Sequence, residues 1–309
     1  MDDEGSVKSE GGINMSRYTI ENEKLKAVFQ SLGGELISLV KKENGQEYIW
    51  NGDERYWTGR SPLLFPLVGG LKNNVYTHQG KTYEMAKHGF ARRREFEVKE
   101  QKEEEIWFSL TDDEKTRESF PFSFRLEIGY QLQGEELKVL WRVENTGEEM
   151  MYFSIGGHPA FLCPPGGEKP CWQGGYIGCD ARADYLEYRL VDLSSGLAAP
   201  ELHIQPLVNG MFKVEKDTFD RDALMIENGQ VKEIFLADEH RVPYLSVRFD
   251  MPLAGIWSPI KKDAPFICIE PWCGRCDAVD FAGEWKDRAY GNQAAPGEVF
   301  CSGYTISVK

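Results

Sequence analysis

A period of two runs through this chain. In the segment FRLEIGYQL, Phe124, Leu126, Ile128, Tyr130 and Leu132 alternate with Arg125, Glu127, Gly129 and Gln131. A turn at Gln133 and Gly134 follows. Leu137, Val139, Trp141 and Val143 then alternate with Lys138, Leu140, Arg142 and Glu144, until Asn145, Thr146 and Gly147 end the run. Successive side chains of a strand point to opposite faces, so this pattern predicts an antiparallel hairpin with one face buried. Other strand candidates are Leu25–Phe29, Leu36–Val40, Glu47–Trp50, Ile106–Leu110, Glu233–Ala237, Tyr244–Phe249 and Phe266–Glu270. Gly33 and Gly34 separate the first two, and Asn44 followed by Gly45 is a hairpin signal. Helical candidates are short: Asp113–Ser119, and a turn or two after Asp277. Many short strands punctuated by Gly, Pro and Asn predict an all-β fold, a sandwich or a barrel.

No internal repeat is visible, and neither CPPGGEKP from Cys163 nor the stretch around Ser194–Pro200 has the composition of a domain linker. The expected organisation is a disordered N-terminal extension over residues 1–16, polar and Gly-rich, followed by one domain over 17–309. Met15 offers an alternative start.

Composition narrows the partners. The chain has 309 residues, a net charge of −14 and a pI near 5.0. Nucleic-acid phosphates would be repelled, and anionic membrane surfaces gain no attraction. No stretch approaches the ~20 apolar residues that span a bilayer. The seven cysteines are odd in number and irregular in spacing, so reduced thiols and a cytoplasmic location are expected. Cys273 and Cys276 have CxxC spacing with Cys268 nearby, but no second pair or adjacent histidine supports a metal or redox centre.

Three titratable residues stand out. His88 lies in KHGFARRREF, His158 in SIGGHPAF, and Glu270 ends the apolar run of APFICIEPWCG. Two imidazoles and one carboxylate are the equipment for moving protons near neutral pH. Gly156 and Gly157 allow close backbone approach before His158, and Pro159 fixes the chain after it. In an extended strand Glu270 shares a face with Phe266 and Cys268, so its carboxylate needs a partner or a task. An ion pair with an arginine is the structural alternative for Glu270; a turn histidine is the alternative for His88 and His158. Asp222, in RDALMIEN, could accept hydrogen bonds from hydroxyls or cap a turn. Trp57, Phe65, Phe90, Phe161, Trp257 and Trp272 lie near these segments, and flat aromatic faces suit sugar rings. No phosphate loop, nucleotide fingerprint or HExxH motif is present.

At these segments, together with SPLLFPLVGGLKNN from Ser61, the chain resembles the aldose 1-epimerase (galactose mutarotase) family. It is most similar to the divergent bacterial branch near the hexose-6-phosphate mutarotases, from about Tyr18 onward and with the segments in the same order. The resemblance implies a large antiparallel β-sandwich, the galactose mutarotase-like supersandwich, with a sugar in an open cleft. It implies His158 as general acid, Glu270 as general base, and His88, Arg92 and Asp222 as substrate-binding residues, with no metal or cofactor. The implied reaction interconverts the α and β anomers of a hexose or hexose phosphate: a base takes the C1 hydroxyl proton, an acid protonates the ring oxygen, and the ring opens and recloses. Activity is then expected to fall as Glu270 is protonated and as His158 loses its proton. Asn74 and the Gly69–Gly70 pair depart from the arginines that better-characterised relatives carry there, so galactose is not implied. A non-catalytic carbohydrate-binding or regulatory module is the alternative. A glycoside hydrolase ranks third, because hydrolysis usually uses two carboxylates.

Overall fold

A computed structural model describes residues 16–309, so the expected N-terminal extension lies, apart from Ser16, outside the described residues. Two large antiparallel sheets form the body. The nine-stranded sheet runs, edge to edge, through Met211–Lys213, Tyr176–Cys179, Glu233–Ala237, Pro243–Phe249, Val299–Val308, Glu136–Asn145, Phe124–Gln133, Glu105–Thr111 and Glu97–Gln101. The eight-stranded sheet runs through Leu197–Pro206, Tyr185–Asp192, Leu224–Ile226, Leu253–Trp257, Phe266–Cys273, Ile155–Gly157 and Leu63–Leu64, and Ala160–Leu162 also pairs with Phe266–Cys273. The fold is the expected all-β sandwich.

The expected hairpin is present, with Phe124 opposite Asn145 and Gln133 opposite Glu136, so its turn is Gly134 and Glu135. Its inward residues, among them Phe124, Tyr130 and Trp141, join one core with Ile155, Ile256, Ile267 and Ile269 of the other sheet. Each large apolar side chain buried there contributes ~1.5–3 kcal/mol. The outward face is less polar in practice than its pattern suggests. Trp107 lies over Gly129, Arg142 stacks 4.2 Å above the Trp107 ring, and Glu127 is buried beneath an ion pair with Lys99.

Two expectations are revised. The strand expected over Glu47–Trp50 is a regular strand only at Gln46–Glu47 and then continues as an isolated bridge from Ile49 to Phe161, while the Glu47 carboxylate accepts backbone N–H bonds from Leu39, Tyr48 and Ile49. The helix expected after Asp277 is a set of turns, with a short 3₁₀ segment only at Trp285–Asp287. Asp277 is occupied as an ion-pair partner of Arg288 rather than as a helix cap. The other helix forms at Glu114–Ser119, where the Asp113 side chain accepts from Thr116 N at 2.7 Å and Thr116 Oγ1 accepts from Asp113 N at 2.8 Å.

Alternation along Phe266–Cys273 places the site. Ile267 and Ile269 enter the main core. Phe266 and Cys268 join an aromatic island with Trp50, Trp57 and Trp257, and Trp272 belongs to a second island with Leu64, Val68 and Cys276. Glu270 lies on that second face, between the two islands.

Candidate active site

The register between two separate segments brings the acid and base candidates together. Gly156 pairs with Trp272 and Ala160 with Cys268, so the two residues of the interrupted ladder that face each other are His158 and Glu270. Their side chains meet with His158 Nε2 3.2 Å from Glu270 Oε2, and both residues are buried. Gly156 has to be glycine, because a Cβ there would sit 2.5 Å from the Trp272 ring. The backbone holds the turn at both ends: His158 N donates to the Pro62 carbonyl at 3.1 Å, and Ile269 N to the Pro159 carbonyl at 3.2 Å. Trp57 stacks on the His158 ring at 4.8 Å, and Trp257 meets it edge-on at 5.4 Å.

No arginine reaches Glu270, so the ion-pair alternative is not realised. Glu270 Oε2, His158 Nδ1 and Trp272 Nε1 are buried without a hydrogen bond of normal geometry. Burial pushes the Glu270 carboxyl well above the usual carboxylate range, against a lowering from the positive charge of Lys87. Burial likewise depresses the His158 imidazole, to about 3, with Lys87 and Arg92 adding to the effect. Both groups are therefore driven toward their neutral forms, and the pair holds one proton between them.

His88 stands beside this pair, its ring edge-on to His158 at 5.8 Å. It sits at φ 68°, in the left-handed region, where its N–H donates to the Gly69 carbonyl at 2.8 Å. Gly69 N donates in return to His88 Nδ1 at 3.2 Å. Burial holds the ring well below the usual histidine range, so it is neutral, and with Nδ1 accepting, the ring proton is on Nε2. Gly69 is in turn packed against the segment that follows Glu270, since a Cβ on it would lie 2.5 Å from Cys276 Cβ. That segment is clamped: Asp277 N donates to the Gly70 carbonyl at 3.0 Å, Lys72 N donates to Asp277 Oδ2 at 3.1 Å, and Arg288 Nε donates to Asp277 Oδ1 at 2.7 Å.

These groups open into a cavity of about 490 Å³, lined also by Arg92, Asp222, Trp57, Trp257 and Trp272. The size suits a small-molecule ligand. All five candidate residues thus face one cavity. Asp222 takes part from a turn at φ 70° just before Leu224–Ile226, and Arg92 from the 3₁₀ turn Ala91–Arg93. Of the aromatics singled out in the sequence, Trp57, Trp257 and Trp272 line it, whereas Phe65 and Phe90 pack with Phe124 and Phe161 lies in the core. Tyr56, Lys87 and Lys262 also line the cavity. Their only signal in the sequence was proximity: Tyr56 precedes Trp57, and Lys87 precedes His88. Asn74 is exposed and does not line it.

Among the described residues, the donors that come close enough to hold a metal ion are His158, Cys268 and Glu270, within 4.8 Å of one another. Burial keeps the Cys268 thiol and the Glu270 carboxyl protonated, the forms that do not ligate. The CxxC cysteines do not act together. Cys273 lies in the main core and Cys276 against Met225, and burial raises both thiols.

Residues 16–284 match the family model described as aldose 1-epimerase. The chain belongs to the aldose 1-epimerase family. It is 30% identical over 302 residues to the LacX protein of Lactococcus lactis subsp. lactis, covering 94% of this chain and 98% of that one. Among solved structures it is similar to a galactose mutarotase related enzyme from Lactobacillus acidophilus, at 32% identity and a TM-score of 0.87, covering 95% of this chain and 97% of that chain. A galactose mutarotase-like protein from Lactobacillus casei gives 27% identity and a TM-score of 0.86, covering 95% of this chain and 100% of the other. The sandwich is the galactose mutarotase-like fold, and as an aldose epimerase the protein is an isomerase that acts on a sugar. No helix among the described residues is long and apolar enough to cross a membrane.

Proposed function

We propose that this aldose epimerase interconverts the α and β anomers of a hexose or hexose phosphate, with Glu270 and His158 as its base and acid. The observation that carries the reading is the pair itself: a carboxylate and an imidazole 3.2 Å apart, buried, and without the hydrogen bonds that a purely architectural pair would make. Glu270 takes the proton from the C1 hydroxyl, His158 delivers one to the ring oxygen, and the open aldehyde rotates before the steps reverse. Before substrate binds, the shared proton rests on the pair in its neutral form. Hydrogen bonds from sugar hydroxyls to the Glu270 carboxylate favour the ionised tautomer that starts the reaction. Neutral His88, with its proton on Nε2, donates a hydrogen bond to a sugar oxygen, and Asp222 accepts one from a hydroxyl. Trp57 and Trp257 cover the apolar ring face.

Water already opens and closes hexose rings, so two positioned proton-transfer groups, each giving ~10²–10⁴-fold, suffice without a metal or cofactor. Six of the seven free thiols are buried, which suits work in a reducing cytoplasm. The test is anomer exchange followed by saturation-transfer NMR on glucose, galactose and glucose 6-phosphate. Acceleration of at least one supports the reading. Absence of acceleration with folded protein, together with tight binding of one anomer, would replace it with a carbohydrate-binding module.

A further inference from the structure

We propose that Trp272 is a positioning residue for the base: its indole N–H donates to the Glu270 carboxylate when that group ionises, and holds it ready for the sugar. The proposal rests on the mutarotase reading and adds a residue to its machinery. Trp57 and Trp257 pack on the His158 ring and face the sugar, whereas Trp272 has no such duty. It is buried, lines the cavity, and shares a strand face with Glu270 two residues away.

The fold gives up two side chains to seat this ring. Gly156 faces Trp272 across one neighbouring strand, and Gly255 faces Glu270 across the other. A Cβ on Gly156 would lie 2.5 Å from Trp272 Cδ1, and one on Gly255 would lie 2.4 Å from both Cζ2 and Cη2. Cδ1 and Cζ2 stand on either side of Nε1 in the indole. These two contacts therefore set the N–H edge of the ring beside the position that Glu270 occupies.

Nε1 is itself buried and makes no hydrogen bond of normal geometry. Trp50, Trp107 and Trp285, buried too, each place the indole N–H on an oxygen at 2.7–2.8 Å. Trp141, which also lacks a partner, lies in the main core against Tyr304. At Trp272 an acceptor is at hand. Burial raises the Glu270 carboxyl, and among the influences that lower it, after the charge of Lys87, is a hydrogen bond from the Trp272 side chain. A donor is worth more to a carboxylate than to a neutral carboxyl, so the contact tightens as Glu270 ionises. His158 cannot fill this role throughout, because the reaction takes its proton away. An indole N–H is a donor only and stays in place through every step. Because Nε1 is covered, it serves the carboxylate and not a sugar oxygen.

The experiment replaces Trp272 with benzothienylalanine, which keeps the shape of the ring and puts sulfur in place of the N–H, alongside Trp272→Phe. Anomer exchange is followed by NMR across pH on the sugar that wild type turns over fastest, with ¹³C NMR of the Glu270 carboxyl on the same samples. The expected result is a kcat ~10- to 100-fold lower in both variants, the loss of one hydrogen bond to a charged group. KM is nearly unchanged in the isostere. The sign of the pH effect follows from the pair. Its last proton leaves Glu270, and without the donor that carboxyl holds its proton more tightly. The alkaline limb of kcat/KM and the Glu270 titration therefore both move to higher pH. Loss of packing alone would lower activity and leave both in place, so a lower kcat without those shifts overturns the proposal. An isostere with wild-type kcat overturns it as well. If wild type exchanges no aldose, the mutarotase reading fails, and the Glu270 titration decides the contact by itself: an unmoved titration overturns it.

Discussion

Glu270 and Asp277 are two buried carboxylates on one stretch of chain, and they are treated in opposite ways. Asp277 has each oxygen engaged, one by the Arg288 guanidinium at 2.7 Å and one by Lys72 N at 3.1 Å. Glu270 faces an imidazole at 3.2 Å, and its Oε2 has no hydrogen bond of normal geometry. The first arrangement locks a loop against Gly70 and, through Gly69, the acceptor face of His88. The second keeps a proton-binding group under strain in a cavity. Between these two carboxylates, satisfied burial goes with architecture and unsatisfied burial with the candidate site.

The sharpest way to break this contrast is to change each carboxylate in turn. Glu270→Gln is expected to lower kcat by ~10²–10⁴-fold, measured by anomer exchange, while Tm stays level or rises because a desolvated carboxyl is gone. Asp277→Ala should do the reverse. It leaves Arg288 buried and unpaired, which costs about 3–5 kcal/mol of stability by chemical denaturation. If Asp277→Ala leaves stability unchanged, the architectural half of the comparison fails.

Next in size is the link between the two regions. Gly69 has φ +73°, and a Cβ there would lie 2.5 Å from Cys276 Cβ and 2.7 Å from its backbone nitrogen. Gly69→Ala is expected to cost ~1–3 kcal/mol in backbone strain alone, and to change the ¹⁵N chemical shifts of His88 as Nδ1 loses its donor. A variant with unaltered His88 shifts would show that the clamp does not reach the site.

Protonation sharpens the contrast further. The Glu270 pKa is raised by burial, so the folded protein binds that proton more tightly than the unfolded chain. Its contribution to stability is present at low pH and lost as pH rises from ~4.3 through the folded value. His158 is depressed to about 3, so it destabilises the fold as pH falls from ~6.5 toward that value. The Tm difference between Glu270→Gln and wild type is therefore expected to grow as pH rises above ~4.3. Catalysis by a pair holding one proton gives a broad pH plateau in kcat/KM, with limbs that belong to the pair. A narrow bell centred on ordinary Glu and His values would mean that the two titrate independently. The smallest effect is at the ring face: Trp57→Ala removes the surface stacked on His158 at 4.8 Å and is expected to raise KM by several fold.

Much of the fold was legible because strand alternation is local. Phe124–Gln133 and Glu136–Asn145 carry their own pattern, so the hairpin could be read, although its turn lies one residue further on. The face occupied by Glu270 followed from the same period. The meeting of His158 with Glu270 did not, because it depends on pairing segments more than a hundred residues apart, and only the family resemblance joined them. The arginine weighed as a partner for Glu270 illustrates the limit. The buried arginine, Arg288, serves Asp277 instead. Beyond the place of Lys87 before His88, Lys87 and Lys262 were hard to read for a different reason: along the chain, a lysine lining a cavity reads like any solvated lysine.

The most direct test of the central claim is saturation-transfer NMR of anomer exchange on wild type and Glu270→Gln, with Tm recorded on the same samples. The account predicts exchange above the buffer rate for wild type, and exchange at the buffer rate for a Glu270→Gln protein that is at least as stable. Exchange that survives in Glu270→Gln, or a variant that loses activity only because it unfolds, would contradict it.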